Sequence, residues 1–154
     1  MKKIALVLFL SLTITLTSCS HIEDANGSNN YSIVTFTDDD IINGNHSSIE
    51  VGTMKSSSST SNGIKGKYSS AKLSGIIEVE KYKSTKENLS FEIEIKCESG
   101  NAMLVIVSDD EIVKKIEANQ NITFTIDNNK KYYKLMLIGE SAKVSVKYEF
   151  NSSN

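Results

Sequence analysis

From Leu89 to Cys97 every second side chain is apolar: Leu89, Phe91, Ile93, Ile95 and Cys97 alternate with Ser90, Glu92, Glu94 and Lys96. A period of two sends one set to each face of a β-strand, whereas a helix would scatter both sets around its circumference. Ile122, Phe124 and Ile126 alternate in the same way with Thr123 and Thr125, as do Val144, Val146, Tyr148 and Phe150 with Lys143, Ser145, Lys147 and Glu149. Amphipathic strands cannot hide their apolar faces singly, so each sheet face built from them must be covered by another layer. Residues 103–107 and 132–138 are apolar almost throughout. Such runs predict central strands, or strands whose second face is also covered. Residues 76–82 and 111–117 complete the set.

Between these runs lie residues suited to turns: Ser99-Gly100-Asn101, Ser108-Asp109-Asp110-Glu111, Asp127-Asn128-Asn129-Lys130 and Gly139-Glu140-Ser141. Strands recurring about every ten residues predict an all-β domain, an antiparallel sandwich or barrel, and the β-sandwich of about seven or eight strands is the expected form. Residues 64–150 carry this domain and 151–154 a short tail. Residues 19–63 read as a tether. Asn, Ser, Gly and acids dominate its start, residues 43–62 read as irregular, and one candidate short strand lies at 33–37.

The first 18 residues have a different character. Lys2 and Lys3 precede an apolar core of some 13 residues, too short for the roughly 20 that a membrane-spanning helix needs. Those are the dimensions of an export signal. Leu16-Thr17-Ser18-Cys19 follows, and this resembles the lipobox of bacterial lipoproteins. The resemblance implies that residues 1–18 are removed, that Cys19 carries a diacylglyceryl group, and that the product sits on the extracytoplasmic face of the cell membrane, palmitate-type chains holding it there. Two chains anchor a protein stably where one does not. Cys97, at the end of an alternating run, reads as a buried small hydrophobe.

Composition narrows the partners. All 17 basic residues are Lys, and Pro and Trp are absent. The Lys, Asn and Ile content hints at a low-GC, Gram-positive host. Loss of Lys2 and Lys3 leaves 15 Lys against 19 acids, a net charge of −4. That balance gives no electrostatic footprint for nucleic acid and opposes adhesion to anionic lipid by charge alone.

Gly66-Lys67-Tyr68, the strands around Ile76 and Phe91, Ser99-Gly100-Asn101-Ala102, Ser108-Asp109-Asp110-Glu111, Tyr132-Tyr133-Lys134-Leu135 and residues 142–146 together look like the small β-sandwich domains of Firmicute lipoproteins. They are also distantly similar to jelly-roll modules such as prepeptidase C-terminal and carbohydrate-binding domains. The match covers roughly the last 90 residues and concerns architecture, so it brings no binding residue with it.

Chemistry-bearing residues are sparse. His21 and His46 lie in the tether without metal-ligand spacing. Asp38-Asp39-Asp40 and Asp109-Asp110-Glu111 offer oxygen ligands for calcium but lack the spaced pattern of a calcium loop, so solvated turn acids are the competing reading. A Gly-x-Ser-x-Gly elbow and a phosphate loop are both missing from the sequence. Tyr68, Tyr82, Tyr132, Tyr133 and Tyr148 are the candidates for surface recognition, since tyrosines present flat faces to sugars or proteins, and Tyr82, Tyr132 and Tyr133 are the candidate ligand-binding residues among them. Tyr132 and Tyr133 must point to opposite faces, so at most one faces the core. The expectation is therefore a lipid-anchored binding module without catalytic activity or cofactor. Its partners would be membrane lipid through Cys19 and a surface protein or glycan. The alternatives are an accessory subunit of an envelope complex, docking through a strand edge, and a carbohydrate-binding module.

Overall fold

The protein is seen in a computed structural model that describes residues 36–44, 47–83, 86–127 and 132–153. Element order is α1 (Asp38–Asn43), β1 (Ile49–Val51), β2 (Met54–Ser59), β3 (Gly63–Lys83), β4 (Asn88–Ser108), β5 (Glu111–Glu117), β6 (Gln120–Asp127) and β7 (Tyr132–Ser153). The fold is all-β and every pairing is antiparallel. All seven strands share one hydrogen-bonded sheet, in the order β1-β3-β7-β4-β5, with β2 also on β3 and β6 also on β4.

Three strands of 21, 21 and 22 residues dominate, several times the usual length of about 5–6. They stay compact because all three are kinked at one level. Register slips occur on β3 between Ser70 and Gly75, and on β4 between Cys97 and Asn101. Gly100 (φ 73°) and Ser141 (φ 51°) take left-handed conformations there, as bulges commonly require. A Cβ on Gly100 would also lie 2.5 Å from the carbonyl oxygens of Glu140 and Ser141. Two expectations are corrected at this point. Ser99-Gly100-Asn101 and Gly139-Glu140-Ser141 are bends within continuing strands, because β4 and β7 pair with each other on both sides of the kink. By contrast, Asp109 (φ 46°) and Asp110 (φ 63°) form the expected tight reversal between β4 and β5.

The kinks divide the sheet into two halves. Residues 63–74, 142–153 and 88–97, edged by β2 and β6, form an open half; residues 75–83, 132–140 and 101–108, edged by β5, form a covered half. One core joins their facing sides. Phe91, Ile93, Val146 and Phe150 come from the open half, and Val79, Leu104, Ile106, Tyr133 and Leu135 from the covered half. Phe91 makes edge-to-face contacts with Tyr133 (5.8 Å) and Phe150 (4.9 Å) and stacks on Phe124 (4.9 Å). Such aromatic contacts add to what burial alone contributes.

The covered half buries its other face too. Ile76, Met103, Val105, Val107, Met136 and Ile138 pack beneath Ile41, with Phe36, Ile42 and Ile112 alongside. This second layer accounts for the continuous apolar runs at 103–107 and 135–138. Its lid is α1. Thr37 caps the helix by accepting from the Asp40 N–H (3.2 Å), while the Asp40 carboxylate accepts from the Thr37 N–H (2.8 Å). Asp38, Asp39 and Asp40 fill the first turn, where negative charge favours the helix dipole. Gly44, left-handed at φ 61°, ends it.

Part of the segment read as tether is therefore structured. Residues 38–43 are helical, and 49–51 and 54–59 are strands, so the irregular reading of 43–62 is corrected for the residues described. The serine run at 56–59 pairs with residues 64–67 of β3 although all of β2 is exposed; backbone hydrogen bonds hold it where side chains bury nothing. Of the candidate strand at 33–37, residues 33–35 lie outside the described residues, and Phe36 and Thr37 lead into α1. Among the described residues no helix is long and apolar enough to cross a membrane.

Candidate functional site

At the free end of the covered half, β3 and β7 present a cluster of lysines around one tyrosine. Lys83 stands opposite Tyr132, and Lys81 opposite Lys134. Tyr132 is 40% exposed. The ammonium groups of Lys81 and Lys83 lie 4.9 and 5.5 Å from the centre of its ring, within the range of cation–π attraction. Period-two geometry explains the convergence. Residues 81 and 83 share a face of β3, and the ladder brings Tyr132 against them. Lys81 and Lys134 are like charges directly opposed, an arrangement that costs stability. A cleft of about 230 Å³ adjoins them, lined also by Val107, Asp109 and Asp110. The corner sets a tyrosine ring and three lysines against the two carboxylates of Asp109 and Asp110, which leaves a formal charge of +1 beside a face able to stack.

A second concavity, a shallow groove of about 590 Å³, runs across the outer face of the open half. Ser56, Ser58, Lys65 and Lys67 line one side, and Glu92, Glu94 and Asn121 the other, with Lys147 and Glu149 between. Glu94 accepts from Lys147 (2.7 Å) and pairs with Lys96 (2.5 Å). Those hydrogen bonds hold its carboxyl down at about 2. The groove is lined mainly by charged and hydroxyl side chains, with one ion pair among them, Lys147–Glu94, and without an exposed aromatic ring on its floor.

Of the three predicted tyrosines, the structure exposes one. Tyr133 is 1% exposed and packs on Phe91, which corrects its assignment as a ligand-binding residue: it is the member of the 132–133 pair that faces the core. Tyr82 is half-buried, its hydroxyl 3.1 Å from Ser152 Oγ and its ring against Phe150, so it joins chain segments. Tyr132 alone is available, and it is not brought together with the other two into one surface. Lys81, Lys83 and Lys134 were missed. The 81/83 spacing was visible in sequence, but the register that sets them against Tyr132 was not.

Cys19, the predicted lipidation site, lies outside the described residues, as do His21 and His46. Cys97 is half-buried and not fully enclosed as expected, because β4 kinks beside it. Its thiol donates to the Ser99 carbonyl (3.2 Å), and burial pushes its pKa up, which disfavours the reactive thiolate. Asp38-Asp39-Asp40 serve α1, with Asp38 paired to Lys115 at 2.6 Å. Asp109 and Asp110 serve the β4–β5 turn. Among the described residues no group of three His, Cys, Asp or Glu side chains could hold a metal ion. Tyr68 and Tyr148, also read from the sequence as candidates for surface recognition, are buried instead, which corrects that reading, and their hydroxyls donate to Glu50 (2.9 Å) and Glu80 (2.7 Å). Burial, then the glutamate in each case, pushes Tyr68 up to about 12 and Tyr148 strongly upward. Both are held as neutral donors that tie the sheet together.

No protein-family model matches the chain, and no curated protein matches it.

Proposed function

We propose that the protein is a lipid-anchored, extracytoplasmic binding module that acts without catalysis and takes an acidic glycan at the Tyr132 corner. The observation that carries the ligand reading is the gathering of Lys81 and Lys83 over the exposed ring of Tyr132, with Lys134 opposite Lys81. A sugar ring stacks on tyrosine through its C–H face, and its carboxylate or phosphate meets the ammonium groups, displacing water from both. The anchor reading is supported by Lys2-Lys3, the apolar core and Leu16-Thr17-Ser18-Cys19.

An array of acidic and neutral envelope glycans tests the ligand. Acidic glycans bind the unsubstituted chain. Tyr132→Ala weakens binding to all of them, and Lys81→Gln removes the preference for charge. Equal signals from acidic and neutral glycans, or none from either, remove this reading. Palmitate labelling of the wild type beside Cys19→Ala tests the anchor; equal incorporation removes it.

A further inference from the structure

Three of the four large hydrophobic residues exposed on the described surface lie within six positions of one another on the β1–β2 edge: Ile49 (63% exposed), Val51 (53%) and Met54 (73%). Ile49 and Val51 are two apart on β1 and so share a face. Glu50 between them points the other way, accepting from the Tyr68 hydroxyl, so the apolar face carries no acid of its own strand. Beside it runs a basic column on β3. Lys72 stands opposite Val51, Lys67 opposite Ser56 and Lys65 opposite Ser58. All three are exposed, and none makes an ion pair among the described residues. Glu149, across from Lys65, is the acid nearest in register.

Aliphatic side chains standing free beside unpaired lysines match the two layers of a bilayer surface, acyl-chain boundary and anionic headgroup. We infer that the β1–β2 edge is a membrane-docking surface, on which Ile49, Val51 and Met54 enter the interfacial layer of an anionic bilayer while Lys65, Lys67 and Lys72 meet its headgroups. This rests on the anchor reading for its source of lipid. Sixteen residues lie between Cys19 and Phe36, so covalent geometry keeps Phe36 within roughly 60 Å of the anchor. The β1–β2 edge is the first part of the sheet that follows along the chain. Docking of this kind does not depend on net charge. The aliphatic trio supplies the hydrophobic part, and the local lysines decide the lipid.

The test uses residues 19–154 with Cys19→Ser, which carries no lipid of its own, sedimented with vesicles of phosphatidylglycerol and phosphatidylcholine or of phosphatidylcholine alone. Expected is binding to the anionic vesicles that falls by roughly tenfold or more when Ile49, Val51 and Met54 are all changed to Asp. Lys67→Gln with Lys72→Gln abolishes the preference for phosphatidylglycerol and leaves folding intact, because both side chains are solvated. Circular dichroism confirms that each variant folds. Failure of the unsubstituted chain to sediment with either vesicle overturns the proposal, as does equal sedimentation of the Asp variant. A dimer in solution that the same Asp changes dissociate also overturns it, since the edge would then bind a second copy. Palmitate labelling at Cys19 without vesicle binding removes the docking surface and keeps the anchor. Vesicle binding without labelling removes the anchor and keeps the surface.

Discussion

The two halves of the sheet are built from the same three strands yet live in different surroundings. In the open half, β4 shows strict alternation: Leu89, Phe91, Ile93 and Ile95 are buried, while Glu92 and Lys96 are exposed. In the covered half the same strand runs Met103 to Val107 with every side chain buried. A sheet with one wet face reads as alternation, and a sheet covered twice reads as a continuous run. The difference shows that the cover, a six-residue helix, lets a strand abandon its pattern partway along. The two halves also divide the chemistry. Glu94, Lys147 and the groove lie on the wet face of the open half, and the Tyr132 corner lies where the covered half runs out.

The largest expected effect tests whether the halves share one core. Phe91→Ala removes a ring that touches both halves and should cost about 3–5 kcal/mol in equilibrium denaturation by urea. The unfolding should remain a single transition; two separated transitions would make the halves independent. Next comes a matched pair on the two outer faces. Ile138→Ala under α1 should cost about 2–5 kcal/mol, and Glu92→Ala on the wet face less than about 0.5 kcal/mol. Equal costs would erase the distinction between the faces.

A smaller effect isolates the lid. Thr37→Ala removes the helix cap at about 1 kcal/mol. Amide exchange should then quicken around Val105 and Met136 and stay unchanged around Ile93 and Val146. Uniform quickening would mean that α1 stabilises both halves alike.

The smallest effects are pH-dependent and mark opposite limbs of the stability curve. Glu94 titrates at about 2 in the folded chain against an ordinary value of 4.5. Its ion pairs therefore contribute fully above pH 4.5, and the contribution is lost as pH falls toward 2. Glu94→Gln should flatten that acid limb. Tyr68 titrates at about 12 against an ordinary 10.0. Its contribution is complete below pH 10 and is lost as pH rises toward 12, because the unfolded chain ionises first. Tyr68→Phe should reduce the alkaline slope. An unchanged slope in either variant would assign the pH dependence to other groups.

Much of the open half was legible residue by residue, because burial on one face imposes a period that survives in the sequence. The inward positions of 89–95 and 144–150 follow from alternation alone. The helix was legible too, though easily passed over. Thr37-Asp38-Asp39-Asp40 before Ile41-Ile42 has the form of a capping box ahead of apolar residues, and the acids drew attention as ligands instead. Strand β2 left almost no trace, since Met54–Ser59 buries no side chain and owes its place to the backbone of β3. At the Tyr132 corner, sequence could nominate the ring. Only register could supply its lysines.

By itself the sequence determined which side chains turn inward, where strong turn formers interrupt the strands, and that an apolar stretch ending in Leu16-Thr17-Ser18-Cys19 precedes them. Tertiary structure decided what each interruption does. Asp109-Asp110 reverses the chain because both residues turn left-handed in succession. Ser99-Gly100-Asn101 only bends it, because β7 continues alongside and kinks at the same level. A turn and a bulge use the same small, permissive residues, and the difference between them is set by the neighbouring strand, which local sequence does not contain.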